Sequence, residues 1–199
     1  MPSIVLFGSG GHSKSCIEVI ESTKKYKIAF LVDIKKNIKN SFYKTYLEKN
    51  FHKMNHKCKN AIIAFGSIKN LKLRQKKFLF LKKKGFNFPN IIASTSYLSK
   101  TSKINEGTII MHGVIINNSC KIGKNCIINS KSLIEHDVVI GDNCHISTGA
   151  ILNGEVKIKK NTFIGSGVIV FNNITIGENC IVSAGSIIKK DLPDNSIIK

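Results

Sequence analysis

Two short stretches carry the residues able to do chemistry. In "SLIEHDVVIGDNCHIS" (132–147), His136 is followed at once by Asp137, and His145 stands nine residues further on. A neutral imidazole titrates near working pH and can take the proton from an attacking amine or hydroxyl. A neighbouring carboxylate favours the imidazolium that forms. Direct attack on a thioester needs no serine or cysteine nucleophile, so this pair alone could serve acyl transfer. The tetrahedral oxyanion would need a donor, for which the backbone N–H of Gly154 is a candidate.

The second stretch is "GSGGHSK" (8–14), between an apolar run and a helical pattern. A glycine turn that opens a helix binds anions, because unpaired N–H groups and the helix dipole point at them. Asp33, ending the next apolar run, is placed to bond a ribose hydroxyl. The full dinucleotide fingerprint G-x-G-x-x-G would need glycine at position 13, where Ser13 stands. A mononucleotide, such as the UDP of a sugar nucleotide, suits this short unit better.

The elements that must position these groups are of two kinds. Residues 4–7 read as a buried strand, followed by the turn and a helix capped by Ser13 and running to about residue 23. "KIAFLVD" and "NAIIAFG" read as further strands, ending at Asp33 and Gly66. A helix over about 67–84 and a short strand "NFPNII" complete a small parallel α/β sheet. From Ile104 the pattern changes to a strict period of six: fifteen positions, Ile104 to Ile188, are all aliphatic without an insertion. Neither a helix nor a plain strand holds such a phase, so this is a stacked coil with three short strands per 18-residue turn, about five coils in all. The fifth position of each hexad also points inward and is mostly small. Cys120, Cys126, Cys144 and Cys180 occupy it and read as core residues, neither ligands nor nucleophiles. The expected domains are 1–97 and 98–199.

Composition bounds the rest. The net charge is +19, and residues 1–100 hold 21 Lys/Arg against 4 Asp/Glu. Those lysines are scattered, without the aromatic interleaving of an RNA-binding sheet, so nucleic acid is not expected as a partner. No C-x-x-C pair suggests zinc, and no metal is expected. No apolar run is long enough to cross a bilayer and no signal peptide is apparent, so a cytoplasmic location is expected.

Taken together, G-S-G-G-H-S-K at 8–14, I-E-H-D at 134–137 and N-C-H-I-S at 143–147 over a hexad repeat resemble the NeuD/PglD-type sugar acetyltransferases. These belong to the hexapeptide-repeat, left-handed β-helix acyltransferases. The resemblance covers nearly the whole chain. It implies a Rossmann-like N-terminal domain, a left-handed β-helix, and a cytoplasmic homotrimer with sites between subunits. It implies acetyl transfer from acetyl-CoA to a UDP-linked amino sugar in surface-glycan synthesis, or O-acetylation of a sialic-acid-type sugar. By position it makes His136 the general base and Asp137 its acidic neighbour. It sets His145, Gly154, Ser166 and Ala184 along the acetyl-CoA groove. On the sugar-nucleotide side it implicates Gly10, Gly11, His12, Asp33, Gly66 and Asn129. The sequence ends at "DLPDNSIIK", where members of that family continue through a G-x-P-A-K-like segment; the end cap and part of the CoA site are expected to differ. His52, His56 and His112 read as structural. The competing classes are a zinc enzyme of the γ-carbonic-anhydrase type, which needs three converging histidines, and a non-catalytic prism.

Overall fold

The structure, a computed structural model, describes residues 1–34, 42–51, 57–66 and 71–199. His52 and His56 lie outside the described residues. The N-terminal unit is a four-stranded parallel sheet built from β1 (Ser3–Phe7), β2 (Lys27–Asp33), β3 (Thr45–Leu47) and β4 (Asn60–Ile63), ordered β3-β2-β1-β4. Helix α1 (Gly11–Thr23) follows β1, the short α2 (Glu48–Phe51) follows β3, and α3 (Leu71–Lys83) follows β4. β3 and α2 are additions that the sequence pattern did not reveal. α1 buries Cys16, Ile17, Val19 and Ile20, the spacing expected of a helix lying on a sheet. Its N-cap is Gly10; Ser13, expected as the cap, sits two residues inside the helix, buried, with no partner for its hydroxyl. The helix starts three residues earlier because Gly8, at φ +121°, lies against the Ala64 carbonyl, where a Cβ would come within 2.8 Å.

The remainder is a parallel β-solenoid of two-residue strands with three faces. The first face stacks Ile91–Ile92, Ile109–Ile110, Ile127–Ile128, His145–Ile146, Phe163–Ile164, Ile181–Val182 and Ile197–Ile198. The second runs from Tyr97–Leu98 through Leu133–Ile134 to Ile187–Ile188, six strands, and the third from Lys103–Ile104 to Thr175–Ile176, five strands. Two of the faces thus exceed five coils. The extra strands come from the ends: "NFPNII" spans the two units, Asn87 bridging Asn60 at the start of β4 as expected, while Ile91 and Ile92 pair with Ile109 and Ile110 of the solenoid. The ladder therefore starts ahead of the boundary expected at 97/98.

Each strand's second residue fills the axis; Ile110, Ile116, Ile122, Ile128, Ile134 and Ile146 have no exposed surface. Burying such a side chain contributes about 1.5–3 kcal/mol before the entropy of ordering it. The fifth hexad position follows a rule of its own. Cys120, Cys126 and Cys144 donate from Sγ to the carbonyls fifteen residues on, Glu135, Gly141 and Lys159, at 3.0, 3.1 and 3.1 Å. Thr108, Ser132 and Thr162 do the same through their hydroxyls, to Gly123, Ser147 and Gly177. Small polar side chains stand there because each satisfies a carbonyl at the corner of the next coil. Burial pushes the Cys126 thiol up to about 12, which suits a core residue and not a nucleophile. The fourth position is left-handed throughout, from Gly107 at φ 74° through Asn125, Asp137 and Asn143 to Gly185 at φ 75°, which explains its Gly, Asn and Asp.

The outward residues differ by face. On the third they are Lys103, Lys121, Val139, Lys157 and Thr175. On the second they are Tyr97, Ile115, Leu133, Ile151, Ile169 and Ile187, an unbroken apolar ladder. On the first, the N-terminal unit covers the early rungs, where Ile91, Ile109 and Met111 share one core with Ile4, Leu6, Cys16 and Ile20, while Ile197 at the far end is 63% exposed. Among the described residues no helix is long and apolar enough to cross a membrane.

Candidate active site

His136 and Asp137 stand at the corner between the second and third faces, at hexad positions three and four. The His136 Nδ1 lies 2.9 Å from Asp137 Oδ2, and both side chains are about half exposed, at 53% and 56%. That hydrogen bond raises the imidazole above its usual range. It engages Nδ1 and leaves Nε2, the atom a substrate proton would reach, outside that bond. Beneath the ring lies Gly154, one coil further along the same corner. A Cβ at Gly154 would come within 2.6 Å of His136 Cε1 and Nε2. Gly154 is thus the surface on which the imidazole rests.

His145 occupies different ground. Its strand places it on the outward row of the first face, in register with Ile127 and Phe163. The N-terminal unit covers that stretch of the row, so His145, although an outward position of the repeat, is only 8% exposed. Its ring meets Phe163 edge-on at 5.1 Å between centroids, and neither ring nitrogen has a hydrogen-bond partner. Burial first, then the nearby His12 and Arg74, lower it to about 3. His12 is held down to about 4 by burial and by Arg74, and its Nε2 is unpartnered as well. Two neutral imidazoles with free nitrogens therefore face the seam between the N-terminal unit and the solenoid. Gly66 borders that seam: a Cβ there would lie 3.8 Å from His145 Cε1.

A pocket of about 400 Å³ opens at the glycine turn, lined among others by Gly8, Ser9, Gly10, Asp33, Phe65 and Gly66. It brings together Gly10, Asp33 and Gly66 of the expected sugar-nucleotide residues. Asp33 Oδ2 accepts from the Ser9 backbone N–H and hydroxyl, both at 2.7 Å, which draws the turn onto the end of β2. Gly11 begins α1 beside it. Glu48 and Lys77, an ion pair absent from the sequence reading, line the mouth. Asn129 is half-buried at another corner, its Oδ1 accepting from the Ser130 N–H.

Ser166 and Ala184 are both exposed at the corner between the first and second faces, in register with Thr148. Ser166 shares a 2.9 Å hydrogen bond with Ser147. Thr148, Ser166 and Ala184 thus form a strip of small side chains along this corner. His112 bonds Thr95 Oγ1 through Nδ1 at 2.9 Å. Among the described residues no three metal-ligating side chains come together. Within one chain, then, the His136–Asp137 corner and the glycine-turn pocket lie on different sides of the solenoid. Arg74 stands out in the sequence only by its rarity, a single arginine against thirty lysines, which by itself reads as composition.

Residues 3–78 match the family model of the PglD N-terminal domain. Residues 110–196 match that of the GMPPB C-terminal domain. Among solved structures, the chain is 29% identical to PerB from Caulobacter crescentus, in complex with CoA and GDP-perosamine; the match covers 99% of this chain and 93% of that one, at a TM-score of 0.91. The acetyltransferase domain of PglB from Neisseria gonorrhoeae, in complex with acetyl coenzyme A, is 22% identical over 98% of this chain and 94% of that one, at a TM-score of 0.91. WeeI from Acinetobacter baumannii is 23% identical over 99% and 96%, at 0.88. At those identities PglB and WeeI speak for the fold. The N-terminal match and PerB bear out the resemblance of this chain to the PglD-type sugar acetyltransferases of the hexapeptide-repeat β-helix kind.

Proposed function

We propose that the chain transfers an acetyl group from acetyl-CoA to the amine of a nucleotide-linked amino sugar, with His136 as general base. The observation that carries this reading is the His136–Asp137 pair, oriented by a 2.9 Å hydrogen bond over a glycine that leaves the ring room. In the step, the sugar amine attacks the thioester carbonyl while its proton passes to His136 Nε2. The imidazolium is stabilised by Asp137. Collapse of the tetrahedral intermediate breaks the C–S bond, and the proton moves on to the departing CoA thiolate. The Gly154 N–H as oxyanion donor, and the strip at Ser166 and Ala184 as the pantetheine path, are part of the proposal; so is His145 as a contact to the cosubstrate.

The glycine-turn pocket, with Gly10, Asp33 and Gly66 in its wall, suits the nucleoside diphosphate, and Gly11, His12 and Asn129 complete the proposed sugar side. PerB, the relative at 29% identity, is in complex with a GDP-sugar. The base is therefore left open to GDP as well as the UDP expected from the sequence. The site needs a second copy, since pocket and base sit apart in one chain. A homotrimer would bring them together, and the apolar ladder from Tyr97 to Ile187, beside the His136 corner, supports such an interface. Release of CoA thiol, followed with acetyl-CoA and a panel of GDP- and UDP-linked amino sugars including GDP-perosamine, tests the proposal. Turnover with at least one of them is expected; thiol release with none would refute it.

A further inference from the structure

Arg74 projects from α3 into the seam between the two units and is 3% exposed. Among the described residues no carboxylate pairs with it. Its Nη1 donates to the carbonyls of Ile63 and of Phe65, the latter at 3.1 Å, and its Nε donates to the Asn125 carbonyl at 3.1 Å. Ile63 ends β4, Phe65 walls the glycine-turn pocket, and Asn125 is a left-handed corner of the solenoid. Its Nη2 is buried without a partner, and a buried cation met only by carbonyls is costly to hold. A planar fork can reach three acceptors on two units, which an ammonium on a single stem cannot. In a chain that otherwise uses only lysine, this arginine marks a geometric demand.

Resting on the proposed sugar-nucleotide reading, we infer that Arg74 is a positioning residue. It holds the Phe65–Gly66 wall of the nucleotide pocket in register with the solenoid face that carries His145. Gly66 is the point of contact: a Cβ there would lie 3.8 Å from His145 Cε1. The same charge adds to burial in keeping His12 and His145 neutral, so both stay able to accept a hydrogen bond at the seam. Its own guanidinium, lowered to about 10 by burial, is charged at neutral pH.

The test is calorimetric titration of GDP, UDP and CoA into the full chain and into Arg74→Lys and Arg74→Gln, with melting curves to establish folding. The preferred nucleotide should bind about tenfold or more weakly in both variants, while CoA affinity, touched only through His145, falls by a clearly smaller factor. The KM for the sugar nucleotide should rise more than kcat falls. A folded variant that binds the nucleotide like the parent overturns the inference. So does a parallel loss of nucleotide and CoA, the sign of general loosening. If neither variant folds, hydrogen exchange on the unaltered chain reads the same coupling: nucleotide should slow exchange at the Asn125 and His145 amides as well as at residues 8–10 and 65–66. Protection confined to the N-terminal unit overturns it. An unaltered chain that binds neither GDP nor UDP refutes the sugar-nucleotide reading itself, and the inference with it.

Discussion

The His136 imidazole lies over Gly154, close enough that a single added methyl would meet its Cε1 and Nε2 at 2.6 Å. The ring sits at a half-exposed corner and can swing away, so Gly154→Ala should displace the base without unfolding the solenoid. Misplacing a catalytic group by about 1 Å costs up to ~100-fold in rate. We therefore expect kcat to fall by about tenfold or more in Gly154→Ala, with the melting temperature near that of the parent. Unchanged kcat would show that the ring's position over Gly154 has no part in turnover.

Asp137 can be tested without disturbing the backbone. It sits at φ 61°, a left-handed position that Asn occupies at 125, 143, 161, 173 and 179 of the same repeat. Asp137→Asn is thus the replacement the corner already tolerates. His136 must be neutral to act as base, and its hydrogen bond to Asp137 raises it. Activity should be lost as pH falls through an inflection above the usual histidine value of about 6.5. Removing the carboxylate should move that inflection down and reduce kcat. A pH–rate profile of the two proteins checks both.

Two buried histidines give stability a pH dependence of opposite origin. His12 and His145 are lowered to about 4 and about 3 in the folded chain. Between those values and about 6.5 the unfolded chain binds more protons than the folded one. Stability is therefore complete above pH 6.5 and falls on acidification, by at most ~1.4 kcal/mol per pH unit for each histidine. Urea unfolding between pH 7 and 4.5 should show this slope. Replacing His145 with Phe, which suits the apolar row of Ile127 and Phe163, should flatten it.

The ladder from Tyr97 to Ile187 predicts self-association. Tyr97, Ile115 and Ile187 are 59, 43 and 55% exposed in the single chain. Ile151→Asp, in the middle of that face, should shift the sedimentation profile from an oligomer toward monomer, at little cost to the fold of the single chain. A monomeric parent would remove this face as the interface.

The solenoid was legible because every strand repeats one demand, an aliphatic residue on the axis, and the fourth position repeats another, left-handed backbone. The phase in fact reaches back to Leu98 and Ile92, six and twelve residues before Ile104. Thr101 and Thr95 at the fourth position there, in place of Gly or Asn, hid those two hexads. The inward cysteines were readable from size and position. His145 was half readable: periodicity says which side chains leave the axis, but not which face another unit will cover. Ser13 was misread as a cap because the Gly8 turn against Ala64, a long-range contact, starts the helix earlier. The seam around Arg74 depends on carbonyls from two units and has no sequence pattern beyond the rarity of arginine itself.

His136 as base is tested most directly by His136→Ala, assayed for acetyl transfer with the sugar nucleotide that the parent turns over. Transfer should drop by at least about a hundredfold while acetyl-CoA and the nucleotide still bind. Parent-like turnover in His136→Ala would contradict the assignment.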